Sequence, residues 1–250
     1  MKKFLSFVVV ALLSLSVSAE DSKKATVNSV EWTYVVLDET AKTCKVGAGD
    51  AKKDITIVAA IDESITGSIT VPESIEGYKV VEINHSAFKR CQVSSIIVPN
   101  TVATIGNEAF KKCNSLTKLE IGTGLTSMGE DALSESVNLT DVTIFATTPP
   151  PVKTERIFSY NASHPENSPQ SAKLHVPAGC KAAYAAAGGW KVFCQCGGIF
   201  EDAATGISHV KQTMTSSTER YTLDGRRTNS GKGVNIIRMS DGTTKKVVVK

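Results

Sequence analysis

Six cysteines are the residues best equipped for chemistry in this chain, and Cys180, Cys194 and Cys196 fall close together. A Cys-x-Cys pair is a candidate redox couple or nucleophile, because one thiolate can attack while the other resolves. No histidine flanks Cys194 or Cys196 to serve as a base. As zinc ligands, three cysteines without a nearby His lack the fourth member of a structural set. The four histidines (His85, His164, His175 and His209) are scattered, and no Gly-x-Ser-x-Gly, His-Glu-x-x-His or P-loop pattern occurs. The chain therefore reads as non-catalytic, with no cofactor and no metal centre. A bridge from Cys180 to one of the 194–196 pair is a possible staple, and Cys44 has no evident partner.

The elements that position these residues repeat. Val98–Ile121 aligns without gaps on Ile121–Ile144 at an offset of 23 residues, so that Ile105 meets Met128, Gly106 meets Gly129 and Phe110 meets Leu133. Ile83-Asn-His-Ser-Ala-Phe88 carries the same spacing one unit earlier, and Ala172-Lys-Leu-His-Val-Pro177 reads as a further strand. A period in the twenties marks a solenoid whose units cannot bury their apolar faces alone. In each unit the apolar residues stand at i, i+3 and i+5: Val93, Ile96, Val98; Leu116, Leu119, Ile121; Leu139, Val142, Ile144. Ile83, Ile105 and Met128, with Phe88, Phe110 and Leu133, supply the opposite wall. Gly106 and Gly129 mark a turn where a side chain is crowded or φ is positive. The extra residues between Val71 and Ile83 predict a loop at Glu76 to Val80, and Asn161 to Gln170 a second insertion.

Cys91 and Cys113 occupy one position of successive units, and Ser136 holds it next. Buried unpaired thiols explain this series, and so does a Cys91–Cys113 bridge, although stacked side chains run parallel rather than towards each other. His85 sits where the next unit has Asn107, which suits a polar turn residue.

Ile/Leu-x-Ile/Val-Pro strands joined to Ile-Gly-x-x-Ala-Phe-x-x-Cys turns resemble the BspA-like leucine-rich repeats of Gram-negative anaerobes. The resemblance covers roughly Thr66 to Phe193, with Leu133, Ser136 and Gly122 departing from the pattern. It implies a short right-handed β-rich solenoid and an adhesin-like role, binding a protein or glycan partner on a host or bacterial surface. The alternative is a structural component of the cell envelope acting through self-association or by holding another exported protein. Tyr221-Thr-Leu-Asp-Gly-Arg, Gly233-Val-Asn-Ile-Ile and the final Lys246-Val-Val-Val-Lys250 resemble a type IX secretion sorting module.

The outward positions between the apolar ones form the candidate binding strip: Thr70, Ser95, Ile97, Lys118, Glu120, Asp141, Thr143, Lys173 and His175. Stacked coils make such residues neighbours on an extended polar surface. Loops such as Asn161 to Gln170 are the competing location.

Lys2 and Lys3, the apolar run Phe4–Leu15 and Val17-Ser-Ala19 have the form of a signal peptide. Its removal takes two of 28 basic residues and leaves 26 against 25 acidic ones. Near-neutral mixed charge gives no electrostatic case for nucleic acid, which would need a basic stripe, and no later run is long enough for a transmembrane segment. The expected organisation is a signal peptide (1–19), an N-terminal β cap (20–65) and a leucine-rich-repeat solenoid with a capping helix (66–196). A linker (197–218) and a small C-terminal β module (219–250) follow. Within the cap, strands fall at Glu31–Leu37, Thr43–Val46 and Ile55–Val58, broken by Gly47-Ala-Gly49. Ala178–Ala187 is a helix stopped by Gly188-Gly189.

Overall fold

The computed structural model describes residues 21–50, 55–158 and 168–202, with the backbone of strands at 219–221, 227–228, 233–238 and 244–249. The expected signal peptide, most of the Asn161–Gln170 insertion, residues 203–218 and the two Asp-Gly turns near the C-terminus lie outside the described residues. The chain divides into two units, one up to Ala204 and one from Thr205.

The first unit begins with β1 (Ser22–Val27), β2 (Val30–Asp38), β3 (Thr43–Val46), β4 (Ala48–Asp50) and β5 (Ile55–Val58). β1, β2 and β3 form an antiparallel meander, and β4 pairs with β5. The expected break falls at Gly47, at φ 79°: β3 ends before it, and β4, which contains Gly49 at φ 91°, leaves for a separate two-stranded sheet with β5. Trp32 and Tyr34 are buried on the inner side of β2.

Coils of the repeat follow. β6 (Thr66–Thr70), β7 (Ser74–Ile75) and β8 (Tyr78–Ile83) make the first coil, and β9 (Gln92–Val98) with β10 (Thr104–Ile105) the second. β11 (Lys118–Ile121) and β12 (Ser127–Met128) make the third, and β13 (Asp141–Ile144), β14 (Lys173–Pro177) and β15 (Gly198–Asp202) continue one side. β6, β9, β11, β13, β14 and β15 lie side by side, all parallel. On the other side β8, β10 and β12 pair in parallel, and β3 joins that sheet beside β8.

The registers are those of the sequence repeat. Ile83 pairs with Ile105 and Ile105 with Met128, while Leu119 lies between Ile96 and Val142. All six residues are buried in one continuous apolar core between the two walls. Phe88 stacks on Phe110 at 5.5 Å between ring centroids. Burying one such side chain contributes about 1.5–3 kcal/mol, and the ladder multiplies that gain in every coil.

Between the walls each coil turns through residues in the left-handed region. Ser86, Glu108 and Asp131 have φ of 56°, 54° and 55°, and Arg90, Lys112 and Glu135 have 64°, 62° and 61°. The strained positions recur with the repeat although none is glycine. Gly106 and Gly129, in contrast, have no positive φ. A Cβ on Gly129 would lie 2.3 Å from the backbone nitrogen of Asn107, and one on Gly106 2.5 Å from that of His85. Of the two reasons for glycine there, crowding against the preceding coil is the one that applies.

Two segments depart from expectation. Glu76 to Val80, read as a loop, is a tight hairpin: β7 pairs with β8 around Glu76-Gly77, whose φ of 48° and 84° suit a two-residue primed turn. Gly198–Asp202, assigned to the linker, is instead strand β15, paired with β14 from Lys173↔Gly198 to Pro177↔Asp202. Ile199 gains burial there, which a solvated linker would forgo.

After β14 the chain forms α1 (Lys181–Ala186) and a 3-10 helix at Trp190–Gln195. The helix starts three residues later than the Ala-rich run, because Gly179 turns the chain at φ 79°. Tyr184, Trp190 and Phe193 are buried against one another. The polar groups of Tyr184 and Trp190 are satisfied by the Ala146–Pro150 segment: Tyr184 Oη donates to the carbonyl of Ala146 at 2.8 Å and Trp190 Nε1 to that of Pro150 at 2.7 Å.

The second unit contains β16 (Glu219–Tyr221), β17 (Arg227–Thr228), β18 (Gly233–Arg238) and β19 (Thr244–Val249), an antiparallel sheet in the order β17-β16-β18-β19.

Candidate interaction face

The parallel six-stranded sheet turns every second residue of each strand away from the core. Two rungs of outward residues result. Thr70, Ile97, Glu120, Thr143, His175 and Phe200 align across one, and Ser68, Ser95, Lys118, Asp141, Lys173 and Gly198 across the other. All nine residues expected in the strip therefore lie on one face in two adjacent rows. Thr70, Lys118 and Lys173 are exposed, and the other six are half-buried by their neighbours.

The sequence reading missed Phe200, which extends the first row beyond His175. The residue is 44% exposed, the largest apolar group open on this face among the described residues. The usable signal was the spacing: Gly198 follows Lys173 by little more than one repeat, after the intervening helix.

The face is electrostatically mixed. Lys118 Nζ lies 2.7 Å from Glu120 on the same strand. His175 bridges three strands: Nδ1 is 3.0 Å from Asp202 on β15 and Nε2 is 3.3 Å from Asp141 on β13. Its ring stacks on Phe200 at 5.8 Å and 27°. The imidazolium form offers a donor to each carboxylate. The Thr140 hydroxyl holds the Asp141 carboxyl below the usual range; burial opposes this, and His175 and Lys173 add to it.

On the turn side a ladder of ion pairs links the coils. Glu108 accepts from Lys89 at 2.7 Å and from Lys111 at 3.0 Å, and Glu135 receives Lys112 at 3.2 Å. Burial acts to raise the Glu108 carboxyl, but the two lysines outweigh it and hold it at about 2. A shallow hollow of about 240 Å³ lies nearby, lined by Ile57, Ala59, Glu63, Ser86, Lys89 and Arg90. Lys89 is already committed to Glu108, which leaves the hollow without a converging pair of cations.

The cysteines separate into distinct environments, all as free thiols. Cys91 and Cys113 are buried with their sulfurs 3.1 Å apart. The contact with Cys113 pushes the Cys91 thiol down against the effect of burial, and the same contact together with burial pushes Cys113 up. Cys180 donates to the carbonyl of Thr147, Cys196 to that of Val192, and Cys194 is exposed. Cys44 is buried beside the carbonyl of Tyr78, and burial pushes its thiol up to about 11. His85 is half-buried in its turn, with Nε2 3.2 Å from the hydroxyl of Ser86. Among the described residues no three His, Cys, Asp or Glu side chains group where they would share a metal ion. No helix among them is long and apolar enough to cross a membrane.

Residues 66–163 match the BspA type leucine rich repeat region in six copies. The chain is similar to a leucine-rich repeat protein from Bacteroides capillosus, with 25% identity over 48% of this chain and 81% of the other, and a TM-score of 0.38. It is similar to the leucine rich repeat protein of T. pallidum at 18% identity over 68% and 80% of the two chains, with a TM-score of 0.41. A leucine rich cell surface protein from Faecalibacterium prausnitzii shares 14% identity over 91% of this chain and 61% of its own, with a TM-score of 0.36. No curated protein matches the sequence.

Proposed function

We propose that this chain is an exported, non-catalytic interaction protein of the cell surface that binds a protein or glycan through the outer face of its parallel sheet. The carrying observation is the register: Thr70, Ile97, Glu120, Thr143 and His175 form one row, and Ser95, Lys118, Asp141 and Lys173 the next. Paired rows of mixed polar groups present hydrogen-bond donors and acceptors over an extended surface without a large apolar patch. Such a face suits a wet contact of modest affinity rather than an obligate one. The match to BspA type repeats supports a role in protein interaction. Residues 1–19 act as the export signal and 20–65 as the cap that shields the first coil of a right-handed solenoid. The segment 219–250 is a terminal sorting module in this reading.

The test has two arms. External protease on intact cells should remove the protein if it is displayed at the surface. Reversing the charges of Lys118, Glu120 and Asp141 together should weaken binding to arrayed matrix proteins or glycans at least tenfold while the melting temperature stays within a few degrees. Unchanged binding by that folded variant would move the site to the loops.

A further inference from the structure

Cys91 and Cys113 close successive turns, each following the Ala-Phe pair of its coil. Both are buried, and their sulfurs stand 3.1 Å apart, nearer than side chains running strictly parallel up the stack would come. Backbone hydrogen bonds fix the two turns against each other: Phe88 N donates to Ala109 O at 2.8 Å and Arg90 N to Lys111 O at 2.9 Å. Strand-like neighbours of this kind lie about 4.7–4.9 Å apart, inside the Cα separation of about 4.4–6.8 Å that a disulfide spans. Closing from 3.1 Å to a bonded distance of about 2.05 Å is a rotation of side chains, with the coils left in place. The next coil carries Ser136, so the ladder of thiols contains two members and a single pairing.

We propose that Cys91 and Cys113 form a disulfide that staples the second coil to the third, made during folding by thiol–disulfide exchange with a disulfide-bearing oxidant. The Cys91 thiolate attacks the oxidant's disulfide, and one oxidant sulfur leaves as a thiolate. The Cys113 thiolate then attacks Cys91 Sγ and expels the second. Two thiols lose two protons and two electrons, and the oxidant's disulfide becomes a dithiol. Both sulfurs are sealed in the finished core, so exchange is completed while the turn is still open and the bond is afterwards shielded from reductants. Export determines where the oxidant is met, and the chemistry itself is tested independently of export.

The experiment refolds the full chain in a glutathione redox buffer, blocks remaining thiols under denaturing conditions and maps the peptides by mass. The expected product is a peptide pair joined through Cys91 and Cys113, with a melting temperature on the order of 5–10 °C above that of the reduced protein. Cys113→Ser should fold, lack that peptide pair and melt at the same temperature with or without reductant. Alkylation of Cys91 and Cys113 in the refolded wild type, or their linkage to other cysteines, would overturn the assignment. So would a bridged form that melts below the reduced one.

Discussion

Ser136 donates its hydroxyl to the carbonyl of Phe110 at 2.6 Å, and one coil earlier Cys113 makes the same contact with Phe88 at 2.9 Å. Ser136 Oγ also accepts from the backbone nitrogen of Cys113 at 3.1 Å. The position is thus a buried donor that satisfies a carbonyl of the preceding coil, and sulfur and oxygen both fill it. Cys113→Ser under reducing conditions should therefore cost at most about 1–2 kcal/mol, the difference of one modestly polar buried group. Urea denaturation of the two reduced proteins checks this. Cys113→Ala should cost more than Ser, because it leaves a void in the core and removes one of the two donors to the Phe88 carbonyl, which keeps only the backbone N–H of Cys91 at 3.0 Å.

Gly129→Ala should be more disruptive than Gly67→Ala. A Cβ at 129 would sit 2.3 Å from backbone atoms of Gly106 and Asn107, which cannot yield without parting two coils. Overpacking of this kind costs about 1–3 kcal/mol, and backbone obstruction places it at the upper end. Gly67 has nothing within 4 Å of its missing Cβ and pays only for its φ of 80°, about 1–2 kcal/mol. Thermal melts of the two variants should differ in that order, and equal losses would show that crowding between coils is not what selects glycine at 129.

The repeat was legible because a solenoid converts sequence period directly into contact. Ile105 meets Met128 in the alignment and meets it again across β10 and β12. The polar strip followed from the same register. Phe200 escaped because its strand adds to the sheet after a helix and a 3-10 turn, so no aligned repeat announces it. The hairpin at Glu76-Gly77 escaped for another reason. Counting surplus residues suggested a loop, whereas the X-Gly pair between Ser74-Ile75 and Tyr78-Lys79 carried the turn signal. The Tyr34 hydroxyl then secures that turn by donating to Glu76 at 2.6 Å. The left-handed positions at Glu108, Asp131, Lys112 and Glu135 were invisible, since residues other than glycine hold them and the coil geometry imposes the angle.

That imposed strain makes Arg90 a site where stability can be gained. Its φ is 64° and its side chain is exposed. Arg90→Gly removes about 1–2 kcal/mol of left-handed cost and returns about 0.5–1 kcal/mol of it as unfolded-state entropy. The expected outcome is a net gain of about 0.5 kcal/mol by urea denaturation. Arg90→Val should lose stability, because a β-branched side chain is the least tolerant of positive φ. Two variants of equal stability would mean that the turn relaxes freely.

Glu108 should make the ion-pair ladder sensitive to acid. Its carboxyl titrates at about 2 in the folded chain against an ordinary value of 4.5. A depressed folded value contributes stability above 4.5 and loses it as pH falls towards 2. The side chain is 26% exposed and its lysine partners are also partly in solvent, so screening reduces the contribution to about 1 kcal/mol. Glu108→Gln should therefore be about 1 kcal/mol less stable than the wild type at pH 6, and the gap should close as the pH approaches 2. High salt should narrow the same gap at pH 6. A difference that persists unchanged down to pH 2 would show that Glu108 acts through its packing in the turn rather than through its charge.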